Sequence, residues 1–295
     1  MASEAALERR SVGHRLAGLF QGRRRLQIGA LLAGPIGWLV VGYLGSLALL
    51  LVAAFWSVDP LSGLTVKEFT LENFEALFNE PVYRTIVWRT IRTALLVTIT
   101  DAVIAFPIAF YMAKVASRRG KALLVVGILL PLWSSYLVKV YAWRTLLSTG
   151  GAINWALDPI GLHGPGYGTT AVWLVMSYLW LPYMILPIYA GLERIPNSLI
   201  SASEDLGASP FTTFRRVILP LSFPAVVAGS IFTFSLTLGD YITPRLVSND
   251  QFIGNVIFSN IANNQPFAAA LAIVPIVVMI AYLLVARKLG AFEHV

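Results

Sequence analysis

The chain has 295 residues, 57% of them hydrophobic and only 13% charged, with a mean hydropathy of +0.72. A soluble domain has too little interior to hide that much apolar surface, so the composition points to an integral membrane protein. Zero cysteines exclude a disulfide framework and thiol chemistry, and three scattered histidines (His14, His163, His294) give no paired metal ligands. The net charge of +7 suits nucleic acid by count alone, but the placement of the charges follows membrane topology instead.

Residues 1–27 read as a basic tail with Arg9, Arg10, Arg15, Arg23, Arg24 and Arg25, a topology determinant with a lipid-surface role as the alternative. Residues 28–295 then form one membrane domain. Crossing ~30 Å of hydrocarbon takes roughly 20 helical residues. Apolar runs near 29–56, 90–113, 122–145, 169–192, 217–240 and 267–286 meet that length and predict an all-α protein with six transmembrane helices. The first run is too long for a cleavable signal and reads as a span.

Lys and Arg set the orientation. They concentrate in the amino-terminal tail, in the loop after the second span (Lys114, Arg118, Arg119, Lys121), in the loop after the fourth (Arg194, Arg215, Arg216) and after the sixth (Arg287, Lys288). The 57–83 connection instead carries Asp59, Glu68, Glu72, Glu75 and Glu80 against a single Lys67, and Phe74–Phe78 in it has a helical pattern. Both termini are therefore expected to be cytoplasmic. Arg84, Arg89 and Arg92, at the outer start of the second span, read as snorkelling side chains or as partners of the acidic 57–83 segment, with gating as the alternative. Residues 147–168, with six glycines and two prolines, read as a structured outer loop.

Several polar and aromatic residues inside the spans are candidates for a solute pathway. Asp101 lies mid-span in the second helix, where a carboxylate costs ~2.5–3.5 kcal/mol on insertion scales, so it contacts a cation or bonds a neighbouring helix. Ser230, Thr233, Thr237 and Asp240 share one face of the fifth span, with Tyr241 beside the carboxylate at its outer end. The hydroxyls alone read as bonds to their own backbone or to a neighbour, at about 0.6 kcal/mol each; with Asp240 the face reads as a pathway. Trp133, Tyr136 and Trp143 align along the outer half of the third span, and Trp173, Trp180 and Tyr183 along the fourth. Trp143 and Trp173 suit the interfacial belt; Trp133, Trp180 and Tyr183 suit either helix packing or stacking on an alkylammonium chain. Lys139 is expected to snorkel outward. Prolines at 35, 107, 131, 182, 187, 224 and 275 predict kinked helices, which belong where protein or a cavity surrounds them.

The polar loop between the fourth and fifth spans, about 195–216, carries the clearest motif. Ser201 to Leu206 predicts a short helix, Gly207 a sharp turn, and Ser209–Pro210 an N-cap with proline at the first helical position. The run Ser201–Pro220 resembles the coupling loop of binding-protein-dependent ABC importer permeases, written E-A-A-x(3)-G-x(9)-I-x-L-P. Gly207 fills the Gly, Val217 the Ile and Leu219–Pro220 the Leu-Pro, whereas Ser201 and Ser203 replace the usual Glu and second Ala. The segments Phe69–Phe74, Leu130–Trp143 and Leu238–Pro244 are similar to the spermidine/putrescine permeases, a subgroup whose relatives also handle opines, phosphonates and other small solutes.

That resemblance implies a type I ABC importer permease fold in a bacterial inner membrane. It implies a non-catalytic subunit that works beside a second, related permease as a heterodimer. Two copies of a cytoplasmic ATPase would dock on Ser201, Ala202, Ser203, Glu204, Asp205, Gly207, Arg215 and Arg216, and an extracytoplasmic solute-binding protein on the outer loops. Neither a cofactor nor nucleic acid is expected on this chain; ATP and Mg belong to the partner ATPase, since no Walker A pattern occurs here. Polyamine transport is the expected function, another small solute (opine, phosphonate or amino-acid-like) the alternative. An ion-coupled secondary transporter would want more intramembrane acids than Asp101, and an intramembrane enzyme a nucleophile–base pair that is missing.

Overall fold

The computed structural model describes residues 24–288; the expected basic tail falls, up to Arg23, outside the described residues. The chain divides into two units, residues 1–54 and 55–295. In the first, α1 (Arg24–Trp38) runs through a wide turn at Leu39–Leu44 into α2 (Gly45–Ala53), leaving most of its apolar side chains exposed. A helix this apolar on all sides suits a lipid environment.

The second unit opens with a two-stranded hairpin, β1 (Ser57–Val58) against β2 (Thr65–Val66). Asp59 closes its turn by accepting from the Leu61 amide at 2.9 Å and the Ser62 hydroxyl at 2.7 Å. Those bonds hold its carboxyl below the usual range. Phe55 stacks on Phe69 at 5.1 Å and leans on Phe74 in α3 (Glu72–Asn79), the short helix expected there. Next come α4 (Pro81–Phe110, extended by a wide turn to Val115), α5 (Arg118–Trp133) and α6 (Tyr136–Leu147). The 147–168 loop holds α7 (Ala152–Leu157), pinned by Asn154, which donates to Ser148 and accepts from Gly164. It is followed by α8 (Thr169–Arg194), α9 (Asn197–Asp205), α10 (Pro210–Thr213) and α11 (Leu219–Gly239). The chain closes with α12 (Ile242–Val247), α13 (Ile253–Asn260) and α14 (Gln265–Lys288).

The third span, expected as one helix over 122–145 kinked at Pro131, is instead broken in two. α5 and α6 meet at a 91° bend at Ser134–Ser135, so the described helices comprise five continuous candidate spans and this broken pair. The cause is local. Pro131 cannot continue the hydrogen-bond ladder, and Ser134 and Ser135 take extended backbone conformations. The Ser134 hydroxyl and the Lys139 ammonium both donate to the Pro131 carbonyl, at 2.8 and 3.0 Å. Lys139 therefore folds back to satisfy the break, contrary to the expected outward snorkelling. Trp133 and Tyr136 end on opposite sides of the bend, with Trp133 82% exposed, so they do not share a face.

α4, α8 and α11 pack on one another and form the centre of the unit. α4 and α8 run in the same direction: Trp173 donates its indole N–H to Thr100 at 3.0 Å, and Lys114 donates to the Ile195 carbonyl at 2.6 Å. α11 runs against them, with Gly229 under Met184 and Gly191 against Ala225. One apolar cluster (Ala105, Ala109, Met112, Met184, Ile188, Leu192, Ile218) fills the end near α9; another (Val97, Val140, Val175, Leu179, Val247, Phe252) fills the opposite end.

Candidate solute pathway and coupling loop

Two of the sequence-predicted pathway residues, Asp240 and Tyr136, meet at the end of α11, and a chain of rings leads from them to Trp180 and Tyr183. The α11 helix stops at Gly239, and Asp240 turns the chain into α12 by accepting from the backbone amides of Ile242 at 2.9 Å and Thr243 at 3.2 Å, as an N-cap does. Its second oxygen accepts the Tyr136 hydroxyl at 2.5 Å and the Thr243 hydroxyl at 2.6 Å. These contacts occupy both oxygens of the carboxylate, and the Tyr136 and Thr243 hydroxyls also lie 2.7 Å from each other. Asp240 thus binds α6 to the α11–α12 corner while keeping its charge half-exposed. Tyr136 stacks on Trp180 at 5.9 Å, and Trp180 meets Tyr183 edge-on at 6.0 Å, giving a chain of three rings that starts at the carboxylate. Tyr241 turns elsewhere, stacking on Phe258 at 4.6 Å, where Arg245 also lies over the Phe258 ring.

The remaining polar candidates are buried. Ser230 donates to the Val227 carbonyl and accepts from Tyr282, Thr237 donates to Thr233, and Thr233 is wholly buried. Asp101 is also fully buried, with the Ser177 hydroxyl of α8 beside it as its polar neighbour. The α8–α11 register puts Trp180 near the level of Thr233 and Ser177 near that of Thr237, so these polar groups lie alongside the aromatic chain. Trp143 packs on Tyr178 at 5.4 Å, and Trp173 bonds α4, so both take packing roles. Arg89 pairs with Asp250 at 3.4 Å and donates to the Gln251 carbonyl, rather than meeting the acids of 57–83. Thr243 and Asp250 escaped the sequence reading. The only available signal was the spacing Asp240–Thr243 across a helix start.

The loop after α8 forms a helix–turn–helix. α9 closes in a Schellman motif, the Gly207 amide donating to Glu204 and the Ala208 amide to Ser203, with Gly207 at φ +79°. Ser209 caps α10 through the Thr212 amide at 3.3 Å, with Pro210 at the first position. Ser203 and Thr213 share a hydrogen bond at 3.0 Å that ties α9 to α10. Ser201, Ala202, Glu204, Asp205, Arg215 and Arg216 are exposed, as are Leu206 at 89% and Phe211 at 71%. Lys114 also reaches Asn197 at the start of α9, so this loop is held to the end of α4. A cavity of about 520 Å³ opens nearby between α8 and α11, walled by Pro187, Gly191, Arg194, Pro224, Ala225 and Ile231, away from Asp240.

Residues 90–291 match the family model of the inner membrane component of binding-protein-dependent transport systems. The chain belongs to that family. The permease is 44% identical over 297 aligned positions to the inner membrane ABC transporter permease protein YdcU of Escherichia coli K12, covering 95% of each chain. It is 33% identical over 244 residues to the spermidine/putrescine permease PotB of Haemophilus influenzae, covering 80% of this chain and 84% of that one. Its fold matches a subunit of the bacterial alginate ABC transporter solved with an alginate-pentasaccharide-bound periplasmic protein, at a TM-score of 0.71, 17% identity and coverage of 90% and 94%. A chain of the MetNI methionine ABC transporter matches at 0.55 and 17% identity, over 70% of this chain. The protein is an ABC importer permease subunit, a multi-pass protein of the bacterial inner membrane.

Proposed function

We propose that this permease imports a small organic cation, a polyamine of the spermidine/putrescine kind. The observation that carries the reading is the Asp240 carboxylate held against Tyr136, from which the rings of Trp180 and then Tyr183 continue. An alkyl chain bearing ammonium groups is attracted by the field of the carboxylate and by ring faces, and its methylenes pack on the same rings. Because both its oxygens are engaged within the chain, Asp240 supplies charge and holds Tyr136, while the rings supply the contact surface. Thr233 and Thr237 lie alongside these rings, with Asp101 beside Ser177 and Tyr241 on Phe258 as further members of the reading. The similarity to PotB permeases supports the substrate class, and opines, phosphonates or amino-acid-like solutes are the alternatives within the family.

In this reading the chain crosses the membrane six times, counting α5–α6 as one broken span, with both termini cytoplasmic. It is non-catalytic and binds no cofactor; ATP and Mg sit on two copies of a partner ATPase. Those dock on the α9–α10 loop, where exposed Leu206 and Phe211 supply apolar anchors around the rigid Gly207 turn. A second, related permease completes a heterodimer, and alternating access follows from the two rocking against each other. An extracytoplasmic binding protein delivers the solute.

The test is ATP-dependent uptake of labelled spermidine and putrescine into vesicles holding the assembled complex, with the native chain and with Asp240→Asn. Uptake that collapses on substitution while assembly and basal ATP hydrolysis persist is the expected outcome. A native complex whose ATPase answers its binding protein but which imports neither amine refutes the polyamine assignment.

A further inference from the structure

The end of the permease away from α9 carries a second cavity, of about 270 Å³, between the hairpin, α3, the start of α4 and the α13–α14 turn. Lys114 ties the other end of α4 to α9, so this cavity and the coupling loop lie at opposite ends of the helix. Its walls are of two kinds. Tyr83 packs on Phe267 at 4.9 Å, and with Ala76 the two rings make an apolar side. Glu72 and the carboxamides of Asn260 and Asn264 make a polar one. Both amides are oriented by the backbone: Asn260 donates its Nδ2 to the Val256 carbonyl at 2.8 Å, which leaves Oδ1 as an acceptor, and Asn264 Oδ1 accepts from the Phe267 amide at 3.1 Å. Glu72 is exposed and has no ion pair among the described residues.

A carboxylate and an amide oxygen above an aromatic–aliphatic wall fit a side chain with an apolar stem and a cationic head. We propose that this cavity is a socket for a lysine or arginine side chain of the extracytoplasmic binding protein. The surroundings favour a protein partner over a free amine. Asp59, Glu68, Glu75 and Glu80 join Glu72 in the stretch 57–84, against only Lys67, drawn over the Trp56 ring at 5.4 Å, and the exposed Arg84 next to Tyr83, so the stretch stays net acidic. A broad acidic face complements a macromolecular surface, whereas a single small cation needs only the cavity. The proposal rests on the importer reading and its orientation.

The complete complex in nanodiscs, titrated with its cognate binding protein, reads the half-saturating concentration for ATPase stimulation. Glu72→Gln should raise that concentration about tenfold, the loss of one charge-assisted hydrogen bond, with the maximal rate kept. Glu75→Gln, which removes the same charge from the same helical turn outside the cavity, should change it less than twofold. Equal shifts in the two variants, or none, overturn the socket, as does a lowered maximal rate at unchanged half-saturation. So does free spermidine binding the cavity while Glu72→Gln leaves docking intact. The chain has no cysteine, so a Leu61→Cys variant, at a hairpin position 98% exposed, reports the side on its own. Labelling by an impermeant maleimide from outside supports the orientation; labelling only from inside overturns the orientation and the socket together, whereas an external label with normal Glu72→Gln docking overturns the socket alone.

Discussion

Gly207 is the position where backbone conformation and coupling can be separated from side-chain size. Its φ of +79° lies in the left-handed region, and a Cβ built there meets nothing within 4 Å of its own chain. Any penalty within the permease is therefore conformational. A non-glycine residue in that region costs roughly 1–2 kcal/mol, Asn less because it visits αL more readily, and a β-branched residue more. Asn, Ala and Val at 207 should thus give a graded series, with Val at about 2 kcal/mol or above. At ~1.4 kcal/mol per factor of ten, the Schellman turn would open about thirtyfold more often, or more, in the valine variant. An open turn breaks the Gly207–Glu204 and Ala208–Ser203 bonds and lets α9 swing on α10, so force applied to the loop no longer reaches α8 and α11. The assay is solute imported per ATP hydrolysed by the complete complex in vesicles, with hydrolysis measured in parallel. Coupling should fall in the order Gly, Asn, Ala, Val while basal hydrolysis persists. Asn is larger than Ala, so a variant series that follows size instead, with Asn worse than Ala, refutes the conformational argument, and a neutral Val refutes it outright.

The other predictions concern the interior and the outer end. Tyr136→Phe keeps the ring on Trp180 but removes the hydroxyl from Asp240, a charge-assisted bond of about 1.5–3 kcal/mol; thermal stability should fall and the KM for spermidine uptake should rise. Gly191→Ala drives a Cβ into that of Ala225, so α8 and α11 must separate at a cost of about 1–3 kcal/mol, visible as a lowered Tm of the purified permease complex. Lys139→Met strips the ammonium from the Pro131 carbonyl and should loosen the α5–α6 bend, detected as a broadened distance distribution between spin labels on the two helices. The Asp250 carboxyl is held below its ordinary 3.8 by the Thr169 hydroxyl and by Arg89. Its folded value is thus lower than its unfolded one, and its contribution is complete above that ordinary value and lost as pH falls through the folded one. The link between α4, α8 and the 248–252 turn should therefore hold constant from pH 5 to 8 and weaken only in acid, and Asp250→Asn should abolish that acid dependence in hydrogen exchange.

How much of this was legible in the sequence follows the range of the interactions. The long helices at 81–110, 169–194, 219–239 and 265–288, the short helix at 72–79, the cap at Ser209 and the turn at Gly207 are set by neighbours within a few residues, and patterning reads them well. The chain of contacts from Asp240 through Tyr136 to Trp180 and Tyr183 joins three helices across the unit. Each residue could be nominated singly, but nothing in the spacing says that Asp240 spends its two oxygens on capping α12 and holding Tyr136. The pairing of Arg89 with Asp250, far apart along the chain, left no local trace, so the nearer acids of 57–83 looked equally suitable.

The broken third span shows why hydropathy fails at such a place. Averaged over 122–145, the apolar content is that of a spanning helix, and a proline alone predicts a kink of modest angle. The right angle at Ser134–Ser135 arises because three polar groups act together. Pro131 ends the ladder, Ser134 returns a hydroxyl to its carbonyl, and Lys139 brings a charge to the same oxygen. A lysine read as snorkelling belongs to the span's outer end, whereas a lysine satisfying a freed carbonyl belongs to its break, and the sequence is identical in both cases. The bend also decides the site: α6 leaves the line of α5 to bring Tyr136 to Asp240, which a straight helix would have carried along a face shared with Trp133. In this permease the contact of Tyr136 with Asp240 and Trp180 owes its arrangement to an irregularity of the backbone, and in lipid such an irregularity persists only where side chains supply the bonds the helix has lost.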